Sequence, residues 1–267
     1  MNCTREFGCS TYTCMDLPLE EALVKIRERT PVIEILSDGP HDLFRHLDAC
    51  RSVDARYSVH APGTDLNLAS TNERIRVSCI GVLDELCGIC DLISSRNLVV
   101  HPGYCAWSQT SGESYAAFLR SLDDLARIQQ EHDVRIAVEN MGSWDCCHFR
   151  TPDTLPEIID RGLGYTLDIG HAHLNNVLRE FVERAPPTHI HLHDNGGTSD
   201  EHAACGTGTI DFASLVPCLP EDTPCILEVK SLGEFDASIR YLSGIGRGRH
   251  ESPEGCDEHG PERKRSV

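Results

Sequence analysis

The sequence lacks the long apolar segments of exported and membrane-spanning proteins. None of its 267 residues falls in an apolar run approaching the roughly 18 residues that a membrane-spanning helix requires. The opening residues MNCTREFGCS also lack the charged and then apolar pattern of a signal peptide. We therefore expect a cytoplasmic protein with no membrane partner.

Sequence motifs for nucleotide binding and covalent catalysis are absent as well. There is no GxxxxGK[ST] phosphate loop, and Gly206-x-Gly208 follows a loop that is rich in His and Asp. No GxSxG motif indicates an activated serine. These absences argue against a phosphate-loop nucleotide enzyme and against a serine hydrolase.

Positive charge is scarce. The chain has 24 Lys and Arg against 42 Asp and Glu, a formal net charge of −18, which disfavours unspecific binding to nucleic acid or anionic membranes. The loops predicted to follow four of the strands contain a single basic residue, Arg150. Proteins that grip duplex DNA align Lys and Arg with its phosphates, so we do not expect duplex DNA as the substrate.

Cysteine, by contrast, is abundant, with 14 residues. A disulfide scaffold does not suit a chain of this length without an export signal. Cys87 and Cys90 occupy one face of a predicted helix, where free cysteines pack like small hydrophobic residues. Cys146, Cys147 and Cys205 lie in predicted loops beside candidate metal ligands, and for them both packing and a functional thiol stay open.

Strand-like and helical segments alternate along the chain. The predicted strands are 6–12, 31–37, 56–62, 97–103, 135–142, 164–170, 188–195 and 224–231. The predicted helices are 17–29, 40–50, 72–96, 112–131, 152–161, 174–184 and 234–243. This alternation predicts parallel strands joined by crossover helices, and eight units favour an α/β fold with a single closed (β/α)8 TIM barrel. The barrel would span 1–243, followed by a polar, disordered C-terminal tail over 244–267.

His, Asp and Glu residues recur where these apolar segments end. The runs YSVH, NLVVH, RIAVE and GYTLD each finish in such a residue, and barrel enzymes place their chemistry at the C-terminal ends of the strands. Imidazoles and carboxylates without cysteine suit Zn²⁺, with Mn²⁺, Co²⁺ and Fe²⁺ as alternatives, better than Ca²⁺. Nine residues form the predicted set of metal ligands: His60, His101, Glu139, Asp168, His171, His191, Asp200, His202 and Glu228.

Alternation of side chains along a strand assigns further polar residues to the barrel interior. The residues predicted to face inward, besides the ligands, are Glu34, His189, His193 and Lys230. Candidate substrate-binding residues are Glu34, Trp144 and Lys230, although Glu34 and Lys230 could instead be satisfied by neighbouring protein groups. Asn140, His173 and His193 are expected to orient the ligands.

Several motifs together resemble the xylose isomerase-like superfamily. They are His60-Ala61-Pro62 followed by NLAS, then VVHPG, VEN, LDIGHA, HLHD, Asp200-Glu201-His202, GTGTID and a late strand that ends in Glu. The most specific part is Asp168-x-x-His171 combined with His191 and Asp200-x-His202. The resemblance covers residues 5–243 and implies a TIM barrel.

The superfamily contains sugar isomerases and epimerases and also an endonuclease IV branch, and the two imply different chemistry. The resemblance to isomerases implies one metal ion on Glu139, Asp168, His191 and Glu228, with the two glutamates moving a proton through an enediol. The resemblance to endonuclease IV implies three zinc ions on all nine ligands and the hydrolysis of a phosphoester. Candidate catalytic residues are Glu139, Glu228 and His171.

The presence of all nine ligands favours the hydrolase interpretation, because a single-metal isomerase does not require His60, His101, Asp200 or His202. We therefore expect a metal-dependent enzyme that hydrolyses a small phosphorylated substrate, with up to three divalent ions per chain. A sugar or sugar-phosphate isomerase or epimerase is the alternative.

Overall fold

The computed structural model describes residues 5–247. Its strands form a closed parallel barrel in sequence order, in which the last strand pairs with the first. The strands are β1 (Phe7–Ser10), β2 (Val32–Leu36), β3 (Arg56–His60), β4 (Asn97–Val100), β5 (Arg135–Glu139), β6 (Gly164–Asp168), β7 (His189–Leu192) and β8 (Cys225–Leu227). The predicted single (β/α)8 barrel is therefore confirmed.

Helices connect successive strands on the outside of the barrel. They are α1 (Leu19–Arg27), α2 (Leu43–Ser52), α3 (Glu73–Leu92), α4 (Ser111–Gln129), α5 (Leu155–Ile159), α6 (Ile169–Leu174), α7 (Leu178–Arg184), α8 (Phe212–Leu215) and α9 (Leu232–Arg247). Asp42 and Asn72 cap α2 and α3, because each side chain accepts a hydrogen bond from a backbone N–H of the first turn. No described helix combines the length and hydropathy that crossing a membrane requires.

Apolar side chains that point outward from the strands form the core with the helices. Ile33 and Ile35 of β2 and Leu167 of β6 are completely buried, together with helix residues such as Leu83 and Phe118. Burying a side chain of this kind contributes about 1.5–3 kcal/mol. This apolar layer leaves the alternate strand positions free to carry polar groups.

Those alternate positions face the barrel axis. Glu34 of β2 contacts His189 and His191 of β7, although β2 and β7 are not neighbours in the barrel. Such contacts can only cross the interior, so the inward orientation predicted for these three side chains is confirmed.

Several helix boundaries differ from the prediction; α3, for example, ends at Leu92 rather than at 96. The helix after β6 begins at Ile169, directly at the strand end, rather than near 174, because Asp168 caps it by accepting a 2.6 Å hydrogen bond from the backbone N–H of His171. The last helix runs to Arg247, four residues past the predicted end at 243. The remainder of the predicted tail lies outside the described residues.

Candidate metal centre

The first group of potential ligands joins three strand ends. Nε2 of His60 lies 3.0 Å from Oε2 of Glu139, and Nε2 of His101 lies 3.3 Å from the same oxygen. Ligand atoms of these three residues all lie within 4.8 Å of one another. Three donors at this spacing can hold one metal ion.

A second group shares Glu139 through its other oxygen. Oε1 of Glu139 lies 3.5 Å from Nδ1 of His191, which also faces Asp168 at 3.8 Å and Glu228 at 3.6 Å. Glu139, Asp168 and His191 have ligand atoms within 4.8 Å of one another. Glu139 therefore faces the first group with one oxygen and the second with the other, the arrangement of a bridging carboxylate.

A third group lies beside the second. Oδ2 of Asp200 is 3.0 Å from Nε2 of His202 and 3.4 Å from Nε2 of His171. His193 belongs to the same cluster, with Nε2 3.7 Å from Oδ1 of Asp200. Because Nδ1 of His171 also lies 3.3 Å from Oε1 of Glu139, the third group is continuous with the other two.

Backbone carbonyls orient most of the candidate histidine ligands. Nδ1 of His60 donates to the backbone carbonyl of Ala61 at 2.6 Å. In the same way, Nδ1 donates to a backbone carbonyl in the pairs His101–Gly63 at 3.2 Å, His171–Asn140 at 2.9 Å and His202–Glu228 at 2.8 Å. A carbonyl can only accept, so each of these Nδ1 atoms carries a proton, and Nε2 is the nitrogen that faces the carboxylates of the cluster. This is the usual arrangement of a histidine that ligates a metal.

His191 is oriented differently, by a carboxylate. Its Nε2 lies 2.8 Å from Oε1 of Glu34, while Oε2 of Glu34 accepts from Nε2 of His189 at 2.7 Å and from Ser58 at 2.9 Å. Glu34 and His189 are completely buried beneath the cluster. The substrate-binding role predicted for Glu34 does not suit this position, because its buried carboxylate contacts His189, His191 and Ser58. His189, for which the sequence predicted an inward orientation but no function, is a hydrogen-bond partner of Glu34.

Short contacts set the protonation of the cluster. Burial by itself would lower the pKa of His60, but the Glu139 carboxylate outweighs it and raises the pKa to about 9. Burial is likewise outweighed at His202, where Asp200 raises the pKa to about 9. Burial would raise the pKa of Glu139, yet His191 and the other histidines hold it well below its ordinary value. Protons on the imidazoles thus balance the carboxylates, and divalent ions can replace those protons.

The donor set fits divalent metal ions. Within residues 5–247, Nδ1 of His191 and Oδ1 of Asp200 are buried without a hydrogen-bond partner, although oppositely charged atoms lie 3.5–3.8 Å away. Buried polar atoms are otherwise nearly always hydrogen bonded. Imidazole and carboxylate donors that converge in one buried cluster match the ligand preference of Zn²⁺ and Mn²⁺.

Asn140 connects the ends of two strands. Its side chain donates to the carbonyl of Asp168 at 3.0 Å and accepts from the backbone N–H of Asp168 at 2.9 Å. Asn140 therefore positions Asp168, one of the candidate ligands.

Strained backbone also occurs at the third group. His202 has a φ of 44°, in the left-handed region that residues other than glycine rarely adopt. Such strain is kept where the surrounding structure requires one side-chain direction, and it is concentrated at functional sites.

Three predicted site residues lie outside the cluster. Nε2 of His173 lies 2.9 Å from Oγ1 of Thr209, and within residues 5–247 no side-chain hydrogen bond or ion pair joins it to a ligand group, so the structure lends no support to its predicted orienting role. Lys230 is exposed and lines a surface cavity instead of facing inward, because the chain leaves β8 after Leu227. Trp144 is half-exposed and its ring meets His171 edge-on, with the centroids 5.3 Å apart, so it partly covers the cluster.

Comparisons with known proteins agree with this architecture. A family model described as xylose isomerase-like TIM barrel matches residues 37–245. An uncharacterized protein of Methanocaldococcus jannaschii, MJ1614, is 34% identical over 252 residues, which cover 91% of this chain and 100% of that protein. A protein of Mycobacterium leprae named "Probable endonuclease 4" is 27% identical over 235 residues, covering 80% of this chain and 90% of its own.

A solved structure is also similar. The crystal structure of a D-tagatose 3-epimerase-like protein superimposes with a TM-score of 0.81 at 30% sequence identity, covering 90% of this chain and 96% of the other. Relatives thus include proteins named after a nuclease and a protein named after a sugar epimerase.

Proposed function

We propose a hydrolytic function for this chain, which belongs to the xylose isomerase-like TIM barrel family, whose members include enzymes. In this proposal it hydrolyses a phosphate ester of a small molecule at a cluster of up to three divalent metal ions. The observation that carries the proposal is the third ligand group. His171, Asp200 and His202 meet at 3.0–3.4 Å, and a single-metal isomerase does not require Asp200 or His202.

Each ligand group would hold one ion, most simply Zn²⁺. His60, His101 and Glu139 would bind the first; Glu139, Asp168, His191 and Glu228 the second; and His171, Asp200 and His202 the third. Ions bound there would supply positive charge to the phosphate oxygens and acidify a water molecule for attack.

Among the carboxylates of the second ligand group, Glu228 is the best placed to exchange a proton during the reaction. Its side chain keeps 7% of its surface exposed, whereas Glu139 and Asp168 are 1% and 0% exposed. A carboxylate open to the barrel mouth can accept a proton from the attacking water. His171 lies at the same mouth below Trp144, which restricts the access of water from that side.

The charge of the chain supports a small substrate rather than duplex DNA, even though relatives carry the name endonuclease 4. The net charge is −18, and Arg150, the basic residue of the predicted mouth loops, is paired with Asp145 at 2.7 Å. Nothing in those loops aligns cations with a duplex backbone.

A sugar or sugar-phosphate epimerase is the second candidate. Glu139 and Glu228 converge on Nδ1 of His191 from 3.5 and 3.6 Å, which would suit proton removal and return at a sugar carbon. The 30% identity to a D-tagatose 3-epimerase-like protein favours it.

The test combines metal content with activity. We expect two or three equivalents of metal by elemental analysis of protein purified without a chelating tag, and turnover of phosphomonoesters or phosphodiesters. Asp200→Ala or His202→Ala should remove one equivalent and lower kcat/KM at least about a hundredfold, the scale of a catalytic group. Glu228→Gln should lower the rate similarly while the circular dichroism spectrum stays unchanged.

His173→Ala is the matched control, because His173 is a neighbouring histidine outside the ligand groups. It should keep both metal and rate. One equivalent of metal, sugar epimerisation in place of hydrolysis, and full activity of Asp200→Ala would overturn the hydrolase proposal in favour of the epimerase.

A further inference from the structure

Lysine is rare in this chain and its placement is uneven. The sequence contains Lys25, Lys230 and Lys264. Lys25 belongs to α1 and Lys230 follows β8, yet both line one cavity of about 530 Å³. Lys264 lies outside the described residues. The two lysines that the structure describes therefore share a single cavity.

Neither of these lysines is neutralised by a neighbouring carboxylate. The ion pairs within residues 5–247 are formed by Arg and His, and no lysine nitrogen there lies within 4.0 Å of a carboxylate oxygen. Asp16 is the single acidic residue that lines the cavity. In a chain with a net charge of −18, two unpaired ammonium groups at one place are suited to an anion.

The cavity adjoins the metal centre. Tyr12 lines the cavity, and its ring lies 4.9 Å from the ring of His202, centroid to centroid. Lys230 stands two residues after Glu228, about 6.6 Å along an extended chain. A small molecule that reaches past Tyr12 can therefore contact the ligand groups and the lysines at once.

We propose that this cavity binds a second anionic group, a phosphate or a carboxylate, of the same small molecule whose phosphate lies at the metal centre. Lys25 and Lys230 would donate charge-assisted hydrogen bonds to it, with the hydroxyl of Tyr12 between the two subsites. The substrate class is then a phosphate ester that carries another anion several bonds away. This inference deepens the proposed function and rests on it for the first phosphate.

Binding of non-hydrolysable probes tests the subsite without relying on turnover. We would titrate the metal-loaded protein calorimetrically with methylphosphonate, with propane-, butane- and pentane-bisphosphonate, and with 3-phosphonopropanoate. At least one two-anion probe should bind about tenfold more tightly than methylphosphonate, because its second anion adds charge-assisted hydrogen bonds to the lysines that methylphosphonate cannot form. If a bisphosphonate binds more tightly than 3-phosphonopropanoate, the second anion is a phosphate; if 3-phosphonopropanoate binds more tightly, it is a carboxylate.

Lys25→Met combined with Lys230→Met should abolish this preference and leave methylphosphonate binding unchanged, whereas Lys25→Arg with Lys230→Arg should retain it. Arg45→Met is the matched control, since it removes one exposed cation from a different cavity near the mouth. Equal binding of all probes, a preference that survives both methionine substitutions, or an equal loss in Arg45→Met would each overturn the proposal.

Failure of the proposed function gives a different result. If no phosphoester is turned over but the two-anion probes still lose affinity in the lysine variants, the subsite stands and the hydrolase assignment falls. If phosphomonoesters are hydrolysed and the lysine variants bind every probe normally, the hydrolase assignment stands and the subsite falls.

Discussion

At the scale of single residues, the partner of the non-ligating nitrogen decides whether an imidazole can bind a metal. Backbone carbonyls fill this role for His60, His101, His171 and His202, and substitution cannot remove them. Glu34 fills it for His191 and is the orienting group that a substitution can test.

Glu34→Gln should weaken metal binding about 10- to 100-fold, the usual effect of losing a group that orients a metal ligand. A neutral amide no longer balances the imidazole charge in the closed interior. Competition of the protein with a chromogenic chelator measures the affinity. Glu183→Gln, on the surface in a pair with Arg179, is the control; equal affinity of the Glu34 variant would show that Glu34 does not orient His191.

Protonation of His60 and His202 gives the metal-free protein a defined pH dependence. Their pKa is about 9 when folded and near 6.5 ordinarily. A raised pKa contributes stability that is full below pH 6.5 and is lost as the pH rises through 9. The free energy of unfolding of chelator-treated protein should therefore fall from pH 6.5 to 9, as measured by urea titration, while Zn²⁺ affinity rises because the ion displaces those protons. A free energy that rises over this range would contradict the assignment.

At the scale of elements, Asp168 shows how a strand end and a helix start share one side chain. It ends β6, caps α6 and faces His191 and His193. Capping explains why the helix begins at Ile169, and a sequence pattern of apolar spacing could not show it because α6 has only six residues.

Two substitutions separate these roles. Asp168→Asn and Asp168→Ala should both weaken metal binding, because each removes the charge. In the metal-free state Asp168→Ala should be about 1 kcal/mol less stable than Asp168→Asn, since asparagine still caps a helix and alanine does not. Denaturant midpoints of the two variants give the difference; equal midpoints would mean that the cap contributes nothing measurable.

At the scale of the whole molecule, the candidate metal centre joins the strands β3, β5, β6 and β7 with loop residues after β4, β7 and β8. Removing metal should therefore lower the unfolding temperature of the entire barrel. Free metal at 100 times its dissociation constant stabilises a folded protein by about 2.7 kcal/mol. Calorimetric scans with and without chelator measure the unfolding temperature, and the chelator should lower it less in Asp200→Ala than in the unmodified protein. Identical unfolding temperatures with and without chelator would contradict the idea that bound metal stabilises the barrel.

The barrel and the set of candidate ligand residues follow from the sequence alone. Strand and helix periods are local, and the rule that parallel strands present their C-terminal ends at one face brings His60, Glu139 and Asp168 together without knowledge of the tertiary structure. For the same reason the burial of Cys87 and Cys90 on a helix face was predictable.

Only the tertiary structure decided how these residues are grouped and which others join them. Barrel closure brings Glu34 of β2 across to His189 and His191 of β7, and the long loop after β7 folds Asp200 and His202 back onto His171. The distance of His173 from the cluster and the shared cavity of Lys25 and Lys230 depend on loop paths as well. Contacts between segments distant in sequence are set by packing over the whole chain, and no local spacing of residues records them.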